Sequence, residues 1–133
     1  MTQSVTKREI VIPELSDPVS HYAHAVSFGN LVFISGVVGH DPQANTVSSD
    51  VTEQARQLFV NLGKVLDAVG ASPADILKVN VYLTDVSDHV LVTPVRADFF
   101  GPHLPASTLV EVKGLIHPSL KVEIDAVVGL PEA

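Results

Sequence analysis

The chain contains no cysteine, which excludes disulfides, thiol nucleophiles and cysteine-based zinc or iron–sulfur sites. A small domain without disulfides fits the cytosol, so a cytoplasmic location is expected. Basic residues are scarce: Lys and Arg number 8 against 15 Asp and Glu, for a formal net charge of −7. They form no run, so the chain lacks the electrostatic footprint of a nucleic-acid binder. Apolar runs are too short to cross a bilayer, and the polar stretch Met1 to Glu9 has no signal-peptide core. Neither a nucleic-acid nor a membrane partner is expected. Also missing are an H-E-x-x-H pair, a G-x-S-x-G elbow and a glycine-rich phosphate loop. His21 and His24 are three apart, which in a strand or loop points them apart, and His40, His89, His103 and His117 lie in different loops or turns, so no metal site is expected.

What the chain has is enough apolar residue to fold. Its 133 residues are 46% hydrophobic and 17% charged, which fits one domain spanning residues 1–133. Residues 1–6 are expected to fray. Lys7 to Ile12 reads as a short strand. Tyr22 to Phe28 and Leu31 to Val38 read as a hairpin around the Gly29-Asn30 turn. Gly39 to Ser49 has loop composition. Asp50 to Val69 is helical, with Asp50 and Glu53 in a capping pattern, apolar residues at helical spacing and Gly70 as the stop. After the Ser72-Pro73 turn, Ile76 to Thr84 alternates as a strand, with Leu77, Val79, Val81 and Leu83 on one face.

Pro94 complicates the next segment, because proline breaks a helix interior. The pattern predicts a turn over Ser87 to Val92, then a helix capped by Thr93, with Pro94 in its first position, ending at Phe100. Two further strands, Ser107 to Leu115 and Leu120 to Leu130, complete an α+β order of β-β-β-α-β-α-β-β. This implies a six-stranded mixed sheet with two helices on one face. Val110 and Val112 suit the helix-covered face. The other face is expected to carry Phe33, Ser35, Val37, Asn80, Tyr82, Ser107, Leu109, Glu111, Lys121, Glu123 and Asp125. That is more large apolar surface than a monomer usually exposes, which favours oligomerisation. Glu123 stands out there: a carboxylate partly removed from water acquires a raised pKa suited to acid–base work, although a salt-bridged interface residue is the ordinary reading.

Several stretches together resemble the Rid family, the reactive intermediate deaminases, also called RidA or YjgF-like proteins. They are Ser20-His21-Tyr22-Ala23-His24-Ala25-Val26, Gly29-Asn30-Leu31-Val32-Phe33-Ile34-Ser35-Gly36, Gln54 with Asn61-Leu62, and Leu66-Asp67-Ala68-Val69-Gly70-Ala71. Lys78-Val79-Asn80-Val81-Tyr82-Leu83-Thr84-Asp85-Val86, Phe99-Phe100, Pro105-Ala106 and Lys121-Val122-Glu123-Ile124-Asp125-Ala126 follow. No single piece is specific, but their order and spacing are. The resemblance implies a chorismate-mutase-like α+β fold, a homotrimer with small-molecule ligand clefts between subunits, and cofactor-free hydrolysis of enamines or imines to a keto acid and ammonia. A degradative role of the 2-aminomuconate type is one variant.

By the same resemblance, Glu123 handles water as the catalytic residue, while Tyr22, Ser35 and Gly36 shape the cleft. Ser107 stands where the family has an arginine that clamps the substrate carboxylate, which places the chain in an arginine-lacking branch. Thr93 replaces a usual asparagine, and Arg96 stands where tyrosine is common. A hydroxyl cannot replace a charge-assisted fork. The resemblance therefore implies weak deamination of simple imines, unless Arg96 reaches the cleft from its helix or the ligand lacks that carboxylate. The alternative is a trimer that binds a small metabolite without turning it over.

Overall fold

A computed structural model describes residues 5–131. Of the N-terminal stretch expected to fray, residues 1–4 lie outside the described range. Eight strands and two helices run in the order β1 (Lys7–Ile10), β2 (Ala25–Phe28), β3 (Leu31–Val38), β4 (His40–Asp41), β5 (Thr46–Val47), α1 (Val51–Val69), β6 (Ile76–Leu83), α2 (His89–Phe100), β7 (Ala106–Glu111) and β8 (Val122–Gly129). Six strands form one mixed sheet in the order β1-β2-β3-β8-β6-β7, while β4 and β5 form a small ladder within the expected loop. Only the β6–β7 pair of this sheet is parallel. Chain connectivity explains this: α2 carries the chain back across the sheet before β7 begins.

The core lies between the sheet and α1. Leu58, Leu62, Val65 and Leu66 of α1 meet Val32, Ile34, Val79, Val81, Val122, Ile124 and Val128, all buried. Asp50 caps α1 by accepting from the backbone N–H groups of Thr52 and Glu53, and Gly70 ends it in the left-handed conformation at φ 75°. Glu53 does not close a reciprocal capping box; its carboxylate pairs with Arg56.

Two buried amides on α1 pin the loops around the core. Gln54 donates to the carbonyls of Ser48 and Ser119 and accepts from the Lys121 N–H, at 2.7, 2.8 and 2.9 Å. Asn61 donates to the carbonyls of Val38 and His40 at 2.9 and 2.8 Å. These bonds fix the end of β3 and the entry to β8, the two segments that carry Gly36 and Glu123.

The structure corrects four details of the sequence reading. Helix α2 is not capped by Thr93. Asp85 caps a short turn over Val86–Asp88 that runs directly into α2, leaving Pro94 inside the helix. Thr93 instead turns its hydroxyl back onto the His89 carbonyl at 2.7 Å. A bulge between Ile34 and Val37 flips the parity of β3, so Val37 enters the core instead of the open face. A second irregularity at the start of β6 buries Ile76 and leaves Leu77 51% exposed.

The fourth correction matters most for function. In the β6–β7 register, Ser107, Leu109 and Glu111 align with Val79, Val81 and Leu83, the helix-covered side. Val110 is 41% exposed on the open side. The expected faces of β7 are thus reversed, and Ser107 lies on the opposite face from Glu123. Leu109 and Val110 are adjacent and both apolar, so alternation alone could not choose between them.

Candidate functional site

Four of the seven sequence-selected residues come together. A cleft of about 220 Å³ is lined by Tyr22, Ser35, Gly36 and Glu123, with Leu15, Val37, Val65, Ile116 and Leu120 forming much of its apolar wall. The geometry begins with the bulge in β3. It brings Gly36 beneath the Glu123 side chain so closely that a β-carbon there would lie 2.8 Å from Glu123 Cδ. Glycine is needed here for close approach, not for an unusual backbone angle.

Glu123 is half-buried. Burial, and secondarily the neighbouring Asp125, raises its pKa above the ordinary carboxylate value. Asp125 itself accepts from Asn80 Nδ2 and Tyr82 Oη, both at 2.8 Å. The Asp125 bond, with burial, raises the Tyr82 pKa and keeps that phenol a proton donor. Ser35 donates its hydroxyl to the Ala23 carbonyl at 2.7 Å, which ties β3 to the segment carrying Tyr22. Its oxygen lone pairs remain available to accept. The cleft thus combines a carboxylate whose pKa is raised with apolar walls, an arrangement suited to proton exchange with water.

The other three residues, Thr93, Arg96 and Ser107, do not line this cleft. They sit at α2 and the edge strand β7. Arg96 Nη1 donates to Ser107 Oγ at 2.9 Å, and its guanidinium lies 5.7 Å from the centre of the Phe100 ring. Burial lowers the Arg96 pKa from its ordinary value.

The sequence reading passed over two histidines and an asparagine in the cleft wall. His24 Nδ1 accepts from the Ile12 N–H at 2.8 Å, and its Nε2 donates to the Ser16 carbonyl at 2.9 Å. Ser16 Oγ lies 2.9 Å from His40 Nδ1, and His40 Nε2 lies 2.8 Å from Asn45 Oδ1. This network straps residues 12–18 across one side of the cleft. His24, His40 and Asn61 all line it. No spacing signal marks these partners, because their bonds connect segments up to 24 residues apart.

Residues 14–129 match the family described as Endoribonuclease L-PSP. A RutC family protein of Pyrococcus horikoshii is 36% identical over 122 residues, covering 90% of this chain and 96% of that protein. The human 2-iminobutanoate/2-iminopropanoate deaminase is 31% identical over 125 residues, covering 93% and 90%. Among solved structures, RidA from an Antarctic Psychrobacter superposes with a TM-score of 0.87 at 32% identity, covering 92% of this chain and all of that one. The YjgF gene product of E. coli gives 0.85 at 30% identity, covering 92% and 98%. The fold, the cleft around Gly36 and Glu123, and these similarities over nearly the whole length agree: the chain belongs to the Endoribonuclease L-PSP family, the YjgF/RidA group.

Proposed function

We propose that this protein is a cofactor-free hydrolytic deaminase of enamines and imines that carry a carboxylate. The observation that carries the reading is the Glu123 carboxylate, raised in pKa and held over Gly36 in a cleft with apolar walls. Relatives named 2-iminobutanoate/2-iminopropanoate deaminase support it. The net charge of −7 and the lack of a basic run weigh against ribonuclease chemistry.

In the proposed reaction, Glu123 accepts a proton from water as the water oxygen bonds to the imine carbon. The resulting carbinolamine takes that proton back on nitrogen. Glu123 then takes the hydroxyl proton and passes it to the nitrogen as the C–N bond breaks, so that ammonia leaves and the carbonyl of a keto acid forms. Imine plus water balances keto acid plus ammonia, with no redox step. Apolar walls strengthen the electrostatic interactions of the charges that develop and limit competing solvent. Tyr22 and the Ser35 oxygen border the reacting group.

Because Ser107 and Arg96 lie on the face opposite Glu123, we place the complete site between copies of the chain, in a homotrimer. Exposed apolar side chains on the open sheet face, Phe33 at 48% and Leu31 at 39% among them, support such an assembly. Ser107 in place of a strand arginine favours the second reading, a trimer that binds a small metabolite without turnover. The test is ammonia release from freshly generated 2-aminoacrylate, measured above the spontaneous rate. Acceleration that disappears in Glu123→Gln supports the deaminase. Saturable binding of the keto acid without acceleration supports the second reading.

A further inference from the structure

We propose that Arg96, steadied by Ser107, binds the carboxylate of the ligand in this chain. This deepens the deaminase reading and rests on it, since the anchored ligand must also reach a second copy's Glu123.

The first observation is a cation without a counter-charge. Acidic residues outnumber basic ones 15 to 8. The ion pairs among the described residues are nevertheless Lys7 with Glu9 and Arg56 with Glu53, and Arg96 is in neither. Its hydrogen-bond partner is the neutral Ser107 hydroxyl, and an aromatic ring lies under its guanidinium. A partly desolvated cation is unfavourable unless an anion joins it.

The second is donor accounting. Guanidinium has five N–H donors and no acceptor. One donor engages Ser107. Because Ser107 Oγ accepts that bond, its own proton is left to donate. The pair therefore presents mostly donors, the Ser107 oxygen keeping one free lone pair, and its complement is a group of closely spaced oxygens. A carboxylate fits the planar fork. A dianion such as phosphate would call for a second cation. Lys78 does not provide one: its ammonium bonds Thr108 Oγ1 at 2.7 Å, on the other face of the sheet.

The third is preorganisation. Phe99 and Phe100 pack with Phe59 of α1, at ring separations of 4.8 Å and 6.4 Å, which anchors the end of α2. With its guanidinium over Phe100 and one N–H tied to β7, Arg96 has less rotamer freedom to lose on binding. Strand β7 ends the sheet order, so the pair lies at an open edge that a ligand or a second copy can approach. Ser107 acts through Arg96 and is a positioning residue.

The experiment is calorimetric titration of the folded protein with 2-oxobutanoate and with its uncharged amide. Imine turnover is followed in parallel. Arg96→Gln should weaken 2-oxobutanoate binding about 10- to 100-fold and raise the KM for imine by a similar factor, while amide binding stays as in wild type. Ser107→Ala should raise KM several-fold at unchanged kcat, and Ser107→Thr should restore it. If Arg96→Gln does not fold, Arg96→Lys, which keeps the charge and removes the fork, carries the same comparison. Unchanged affinity in the folded arginine variant, equal loss for acid and amide, no 2-oxobutanoate binding by wild type, or tighter competition by inorganic phosphate than by 2-oxobutanoate would each overturn the proposal. Carboxylate binding through Arg96 without turnover would sink the deaminase reading alone. Turnover with an unchanged KM in Arg96→Gln would sink the Arg96 assignment alone.

Discussion

Replacing Gly36 by alanine separates the position of the Glu123 carboxylate from the stability of the fold. The added β-carbon would lie 2.8 Å from Glu123 Cδ and 2.9 Å from its Oε1. Carbon atoms pack comfortably at about 3.5 Å or more, so the carboxylate must retreat by at least about 0.7 Å. The obstructing atoms are the far end of a flexible side chain, so the retreat is cheap for folding. Gly36 is not among the positive-φ glycines, so alanine fits the backbone. It also restricts the unfolded chain, which favours the folded state by about 0.4–1 kcal/mol.

Catalysis should be far more sensitive. A misplacement of about 1 Å costs on the order of 10²-fold in rate. We therefore expect Gly36→Ala to lower kcat about 10- to 100-fold, or about 1.4–2.7 kcal/mol of barrier, with a Tm within a few degrees of wild type. Keto acid formation from an imine generated in situ and a thermal melt measure the two quantities. Adding Glu123→Asp to Gly36→Ala shortens the acid and clears the methyl group, so the double variant should lose less activity than the two single losses combined. A folded Gly36→Ala protein with wild-type kcat would refute the assignment of Glu123 as the group that handles water.

Glu123 as a base also predicts that activity falls as pH drops through its pKa. Burial raises that pKa, so the decline should begin at higher pH than for an exposed glutamate; a pH–rate profile lacking this limb would contradict the role. Stability has the opposite sign: the contribution of Glu123 is fully present below its unfolded pKa and is lost as pH rises through the raised folded value. Glu123→Gln should therefore gain stability relative to wild type above that range, as read from denaturation midpoints. Gln54→Ala removes the partners of two carbonyls and one N–H in the core and should cost about 3–5 kcal/mol, seen as a lower urea midpoint at similar slope. Light scattering should give about three times 14.1 kDa, and a monomeric mass would overturn the proposed site between copies.

Local physics wrote much of this fold directly into the sequence. The apolar spacing in α1, its Asp50 cap and its Gly70 stop depend on residues within one or two turns of each other. The β2–β3 hairpin is set by its two-residue turn. The pairing of Ser35-Gly36 with Glu123 was legible through family resemblance, and the structure supplies its reason: only glycine leaves room for the carboxylate. Periodicity could not settle the parity of strands, because one bulged residue reverses every side chain beyond it. Val37 and Leu77 changed sides in this way, and Ser107 followed the parallel register with β6. Nor could it foresee the bonds from Gln54 and His24 to distant loops, since partners that meet only after the sheet and helices pack leave no spacing in the chain. Tertiary structure alone decided that Ser107 meets Arg96 and not Glu123, and the cause is the order of strands: β7 lies at the edge beside β6, under α2, while Glu123 projects from the opposite face of β8.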